Sequence, residues 1–195
     1  MNDRWRLVVL AGYEHDEATA RAAVDDADPV VRALALGALE RAGVLADADL
    51  VRALSDTAAS VRRRAVELSA TRPAIDLLPA LADPDPTVAE AAAWACGEHE
   101  HVADAVLSRL IQLATSADVA LVREASVAAL GAIGDERGLP AILAGCRDQP
   151  AVRRRAVLAL APFDGSEVDA AITAALTDRD WQVRQAAEDL TRTLE

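Results

Sequence analysis

The stretch "DPVVRALALGAL", Asp28 to Leu39, decides the fold. An Asp-Pro pair is followed by Val-Arg and then by a run of Ala and Leu. Asp favours turns and helix N-caps because its carboxylate accepts from free backbone N–H groups. Proline is tolerated in a first helical turn. The stretch therefore reads as a turn that opens a helix, too short and too small-sided to form a core alone. It recurs along the chain. Val31-Arg32 returns as Val61-Arg62, Val122-Arg123, Val152-Arg153 and Val183-Arg184, and Val88-Ala89 fills the remaining place without the arginine. The steps between anchors are 30, 27, 34, 30 and 31 residues. Periods of this size mark repeat architectures.

Each anchor follows a turn that carries Asp, at Asp28, Asp56, Asp85, Asp118, Asp148 and Asp180. Before each turn lies a second apolar segment, such as "DADLVRALSD", "PAIDLLPALAD" or "VADAVLSRLIQLAT". Its Leu, Ile and Val recur at helical three- and four-residue steps. The unit is helix A, an Asp-rich turn, helix B and a loop. Gly43, Gly97, Gly134 and Gly165 fall at or just past helix B ends, where a left-handed cap favours glycine. Four residues after each anchor stands Ala35, Ala65, Ala92, Ser126, Ala156 or Ala187, all small. These positions share the anchor's face, and small residues there let helices approach closely. Each unit has an apolar face that only its neighbour can cover. The boundaries predicted are a cap over 1–13 and repeats over 14–43, 44–72, 73–101, 102–135, 136–165 and 166–195, in one domain.

Composition agrees. Apolar residues make up 52% of 195 and aromatics only 3%, and about a quarter of the chain is Ala, the best helix former. No alternation of β-branched residues argues for strands. The class predicted is all-α. The formal charge of −12 argues against nucleic acid and anionic membranes as partners. No apolar run is long enough to span a bilayer, and no signal-peptide cleavage pattern stands at the N-terminus, so a cytoplasmic location is expected. Cys96 and Cys146 lie among small apolar residues and read as buried thiols.

The set "DADPVVRALALGALERAG", "DQPAVRRRAVLALAPFDG" and "LVREASVAALGAIGDERGLPAILAGC" resembles HEAT-type repeats, in particular the short bacterial kind named after phycobilisome lyase proteins. The resemblance covers nearly the whole chain. It implies a right-handed α-alpha superhelix of about six helix pairs, with B helices lining the concave side. It also implies an Asp/Arg ladder between repeats, here Arg32, Arg62, Arg123, Arg153 and Arg184 with Asp28, Asp56, Asp118, Asp148 and Asp180. An arginine fork suits a carboxylate bidentately. With Ala89 in that column, the third repeat is expected to have a looser or differently tilted junction.

Residues two and six after each anchor project away from the core. They give Arg63 and Glu67, Glu90 and Trp94, Glu124 and Ala128, Arg154 and Leu158, and Gln185 and Asp189. Arg63, Glu67, Glu90, Trp94, Glu124, Arg154 and Leu158 are the partner-binding candidates, because Trp and Arg are enriched at binding hot spots. Trp5 and Trp181 are expected to close the two ends of the core.

Chemistry finds little footing. "CGEHEH", Cys96 to His101, is the densest set of metal-ligand types, but it falls in a loop between repeats and reads as solvated. Deoxyhypusine hydroxylases, which resemble HEAT proteins, hold iron through His-Glu pairs near helix starts. The matching places here read Ala33-Leu34, Arg63-Arg64, Glu90-Ala91, Glu124-Ala125, Arg154-Arg155 and Gln185-Ala186. No phosphate-binding glycine loop follows a strand. The expectation is a non-catalytic, monomeric scaffold of the bacterial cytosol, without cofactor or metal, binding an unidentified protein or peptide. The binding surface expected is the concave face formed by the B helices, and the alternative is an enzyme or an accessory or regulatory subunit of one, lyase-like or nucleic-acid-base-acting, using the same concave face.

Overall fold

A computed structural model describes residues 3–194. The described residues form twelve α-helices and no strand. They are α1 (Asp3–Glu14), α2 (Glu17–Ala22), α3 (Pro29–Ala42), α4 (Asp47–Ala53), α5 (Ala59–Ser69), α6 (Pro86–Gly97), α7 (Asp104–Ser116), α8 (Ala120–Ile133), α9 (Leu139–Gly145), α10 (Pro150–Ala159), α11 (Ser166–Ala175) and α12 (Trp181–Leu194). Two 3₁₀ turns lie at Ala80–Ala82 and Glu136–Gly138. The chain divides into two compact units, Met1–Ala92 and Ala93–Glu195, with the division inside α6.

The anchor valines are the floor of both cores. Val31, Val61 and Val88 are buried in the first unit, and Val122, Val152 and Val183 in the second. The small residue four positions on is fully buried each time, from Ala35 to Ala187. The reason is steric. A Cβ added at Gly12 of α1 would lie 2.8 Å from the Ala38 Cα of α3. One added at Gly131 of α8 would lie 2.6 Å from the Ala159 Cβ of α10, and one at Gly97 would lie 3.0 Å from the Ala129 Cα of α8. At α1–α3, α6–α8 and α8–α10 the helices thus meet backbone to backbone, glycine against alanine. Larger side chains fill the space toward the A helices: Leu36, Leu39, Leu50 and Leu81 in one unit, Leu110, Leu130, Ile142 and Leu160 in the other.

Caps follow the local chemistry. Asp28 accepts from Val30 N–H at 2.9 Å and Asp180 from Gln182 N–H at 2.9 Å, each at a helix start. Gly43 (φ 75°) and Gly134 (φ 69°) close α3 and α8 in the left-handed conformation. The other two glycines behave differently. Gly97 ends α6 without positive φ and serves the close approach to Ala129, whereas Gly165 stands before α11 rather than closing a helix.

Two further expectations fail. The segment "PAIDLLPALAD" is not an α-helix: residues 71–79 run through turns and irregular backbone into the 3₁₀ turn at Ala80–Ala82. Pro73 and Pro79 leave too few residues between them for a stable helix, and each lacks an N–H and restricts the residue before it. Burial survives the loss of helix, since Ile75, Leu77 and Leu81 still pack inside. Trp181 is 64% exposed, so it does not close the core. Trp5 is half-buried and donates its indole N–H to Asp28 at 3.0 Å.

Candidate partner-binding face

The arginine that follows each anchor valine is held in a fixed way. Arg32 donates from Nε and Nη2 to the Asp56 carboxylate at 2.8 and 2.6 Å, and from Nη1 to the Asp26 carbonyl at 2.9 Å. Arg62 does the same with the Asp83 carboxylate, at 2.6 and 2.8 Å, and the Asp56 carbonyl. In the second unit Arg123 grips Asp148 at 2.6 and 2.9 Å, and Arg153 grips Asp178 at 2.9 and 2.8 Å. Each guanidinium closes its own turn with one edge and forks onto the next repeat's carboxylate with the other. The same carboxylates accept a backbone N–H from the turn they belong to, such as Ala58 for Asp56 and Asp180 for Asp178. The guanidinium bonds hold Asp56, Asp83, Asp148 and Asp178 below the usual carboxylate range.

Three predicted acceptors differ. The carboxylate gripped by the preceding arginine stands five residues before the anchor in Asp56, Asp83 and Asp178, and four before it in Asp148. Asp28 and Asp180 stand three before and cap their own helices. At that spacing the side chain reaches the helix's first N–H groups, and the second oxygen of Asp28 takes the Trp5 indole rather than a guanidinium fork. Asp118 contributes its carbonyl to Arg123, at 3.2 Å. Arg184 donates to the Asp178 carbonyl at 2.7 Å and grips no carboxylate among the described residues. At the N-terminal turn, the acceptor position belongs to Asp26, which Arg4 of α1 engages. The signal for all this was available in the Asp-x-Asp pattern of "DADP", "DPDP" and "DRD", whose first Asp does the bridging.

The candidate residues fall on the B helices of the two units, two and six positions after the anchors. In the first unit Arg63 is exposed, and Glu67 and Glu90 are half-buried. Glu67 takes both Arg63 and Arg64, at 3.1 and 3.2 Å. Arg64 lies over Gly37, where a Cβ would stand 3.0 Å from its Nη2. In the second unit Trp94 is 45% exposed although Ala93, Ala95 and Cys96 around it are buried. Leu158 of α10 is 40% exposed. Glu124 of α8 faces Arg154 at 3.9 Å and Arg155 at 3.7 Å.

Cys96 is buried, and burial pushes the Cys146 thiol up to about 11, away from the reactive thiolate. Among the described residues no group of three or more His, Cys, Asp or Glu is arranged to hold a metal ion. Nor is any helix there long and apolar enough to cross a membrane.

Paired helices, buried anchor valines and a bridging arginine in successive repeats define a helical repeat protein of the armadillo-like solenoid class. Comparison with solved structures agrees. An engineered protein known from its crystal structure covers 100% of this chain and 97% of its own, at 20% identity and a TM-score of 0.60. A designed armadillo repeat protein in complex with peptide (KR)4 covers 99% and 98%, at 17% identity and a TM-score of 0.60. Human deoxyhypusine hydroxylase in complex with glycerol covers 97% of this chain and 78% of its own, at 20% identity and a TM-score of 0.51. No curated protein matches the sequence. Residues 75–161, a little under half of the chain, match the family model of HEAT repeats.

Proposed function

We propose that this protein is a non-catalytic scaffold that binds a protein or peptide segment along the outward arc of its B helices. The observation that carries the reading is Trp94, an indole left 45% exposed on a helix whose neighbouring positions are alanine and buried. Tryptophan offers large apolar area with few rotatable bonds, which is why it anchors interfaces. Within the same unit Leu158 adds a second exposed apolar side chain, and Glu124 and Arg154 supply polar contacts; Arg63, Glu67 and Glu90 are the corresponding candidates of the first unit. A surface carried on packed helices is formed before the partner arrives, so little ordering entropy is lost on binding. A designed armadillo repeat protein of the same fold, solved with peptide (KR)4, supports peptide recognition as a use of this architecture. The scaffold acts as a cytosolic monomer in this reading.

The test is a pulldown with wild type and Trp94→Ala, with light scattering for oligomeric state. A reproducible protein partner lost in the variant supports the reading. Unchanged partners remove Trp94 from it. Turnover of a small molecule that disappears when Arg63 or Arg154 is replaced would favour an enzyme instead.

A further inference from the structure

Within the second unit, the two exposed arginines of α10 are under-satisfied. Arg154 and Arg155 share the single carboxylate of Glu124, at 3.9 and 3.7 Å, both beyond hydrogen-bond length. Neither guanidinium makes a hydrogen bond among the described residues, and the Arg155 Nε is buried without an acceptor. Their side chains remain 40% and 42% exposed. The equivalent pair in the first unit differs, since Arg63 and Arg64 lie 3.1 and 3.2 Å from Glu67. Arg154, Arg155 and Glu124 together carry a net positive charge on a chain whose formal charge is −12. Leu158 is exposed one helical turn from Arg154. On α12, Asp189 is already occupied by Gln185 at 3.0 Å and Arg192 at 3.2 Å.

We infer that this patch is a recognition site for an acidic peptide segment. An Asp or Glu of the segment takes the Arg154 and Arg155 guanidinium edges, and a neighbouring apolar side chain packs on Leu158. This rests on the proposed scaffold function and specifies its partner. A planar guanidinium with open donors suits a carboxylate, and a second carboxylate gives each arginine the acceptor that Glu124 alone does not. The charge preference is opposite to that of a face made for a basic peptide.

The experiment is selection from a random dodecapeptide display library on the full chain, with Trp94→Ala/Leu158→Ala as the background control. Enrichment of Asp or Glu beside apolar residues is expected. The affinity of a selected peptide should fall about tenfold or more in Arg154→Gln/Arg155→Gln, with helix content unchanged. Enrichment of Lys or Arg that depends on Trp94 and Leu158 overturns the acidic assignment and leaves the scaffold reading standing. Peptides that bind wild type and both-alanine control alike overturn the face itself. Displacement of the acidic peptide by oligo-dT at equal concentration shows a phosphate preference, which also overturns the proposal. The affinity of the selected peptide should weaken with added salt, because its contacts are between charges near water.

Discussion

Arg153 and Arg154 are adjacent in the chain and share a helix, yet they do opposite things. Arg153 is buried and makes three hydrogen bonds, two to the Asp178 carboxylate and one to the Asp148 carbonyl. Arg154 is part-exposed and, among the described residues, faces only the distant Glu124. A helix turns about 100° per residue, so one step carries the side chain from the seam between repeats to the outer arc. The run Arg62-Arg63-Arg64 repeats the arrangement: Arg62 forks onto Asp83, and Arg63 points to solvent and Glu67. The lesson is positional. The first arginine after the anchor bridges successive repeats, and the second and third turn away from that seam, toward Glu67 in one run and toward Glu124 in the other.

The comparison can be broken most severely beneath the seam. Gly131→Val would drive a side chain into Ala159, already 2.6 Å from the site of the new Cβ. Urea unfolding should show a loss of about 3 kcal/mol or outright failure to fold. Next comes Arg153→Ala, which leaves the Asp178 carboxylate without its fork. A loss of about 2 kcal/mol is expected by the same measurement, and the same for Asp178→Ala. Asp180→Ala removes only a helix cap and should lose about 1 kcal/mol, less than its neighbour two residues earlier. Arg154→Ala should stay within about 0.5 kcal/mol of wild type, because an exposed, long ion pair contributes little. A large effect there would erase the distinction between seam and face.

Acid should separate them as well. Asp56, Asp83, Asp148 and Asp178 titrate below the ordinary carboxylate value because guanidinium bonds favour their charged form. Such groups stabilise the fold above the unfolded Asp pKa of about 3.9, and the contribution is lost as pH falls toward their lower folded values. Unfolding monitored by circular dichroism should therefore weaken below about pH 4, and Asp178→Asn should flatten that dependence.

Much of the fold is legible in the sequence because the repeat imposes it. The anchor valine, the small residue four on and the arginine one on recur often enough to place the B helices. Individual elements are less legible where local chemistry overrides the pattern. Residues 73–83 keep apolar spacing but lose the helix to Pro73 and Pro79. Asp28 and Asp180 read like arginine-bridging acids, although it is the Asp two residues earlier that takes the preceding arginine, a choice that depends on turn geometry rather than residue type. Trp181 has the composition of a core cap and lies in solvent at the start of α12, where no helix covers it. The candidate face is legible through helical periodicity, which sends residues two and six after the anchor outward. The under-satisfied state of Arg154 and Arg155 is not, because it depends on distances of a few tenths of an ångström to Glu124.

The most direct test is a double-mutant cycle on Arg153 and Asp178, with urea unfolding of wild type, Arg153→Ala, Asp178→Ala and the double variant. If the arginine one past the anchor locks successive repeats together, the two losses should be non-additive, with a coupling of about 1–3 kcal/mol. Additive losses, agreeing within about 0.5 kcal/mol, would contradict the account.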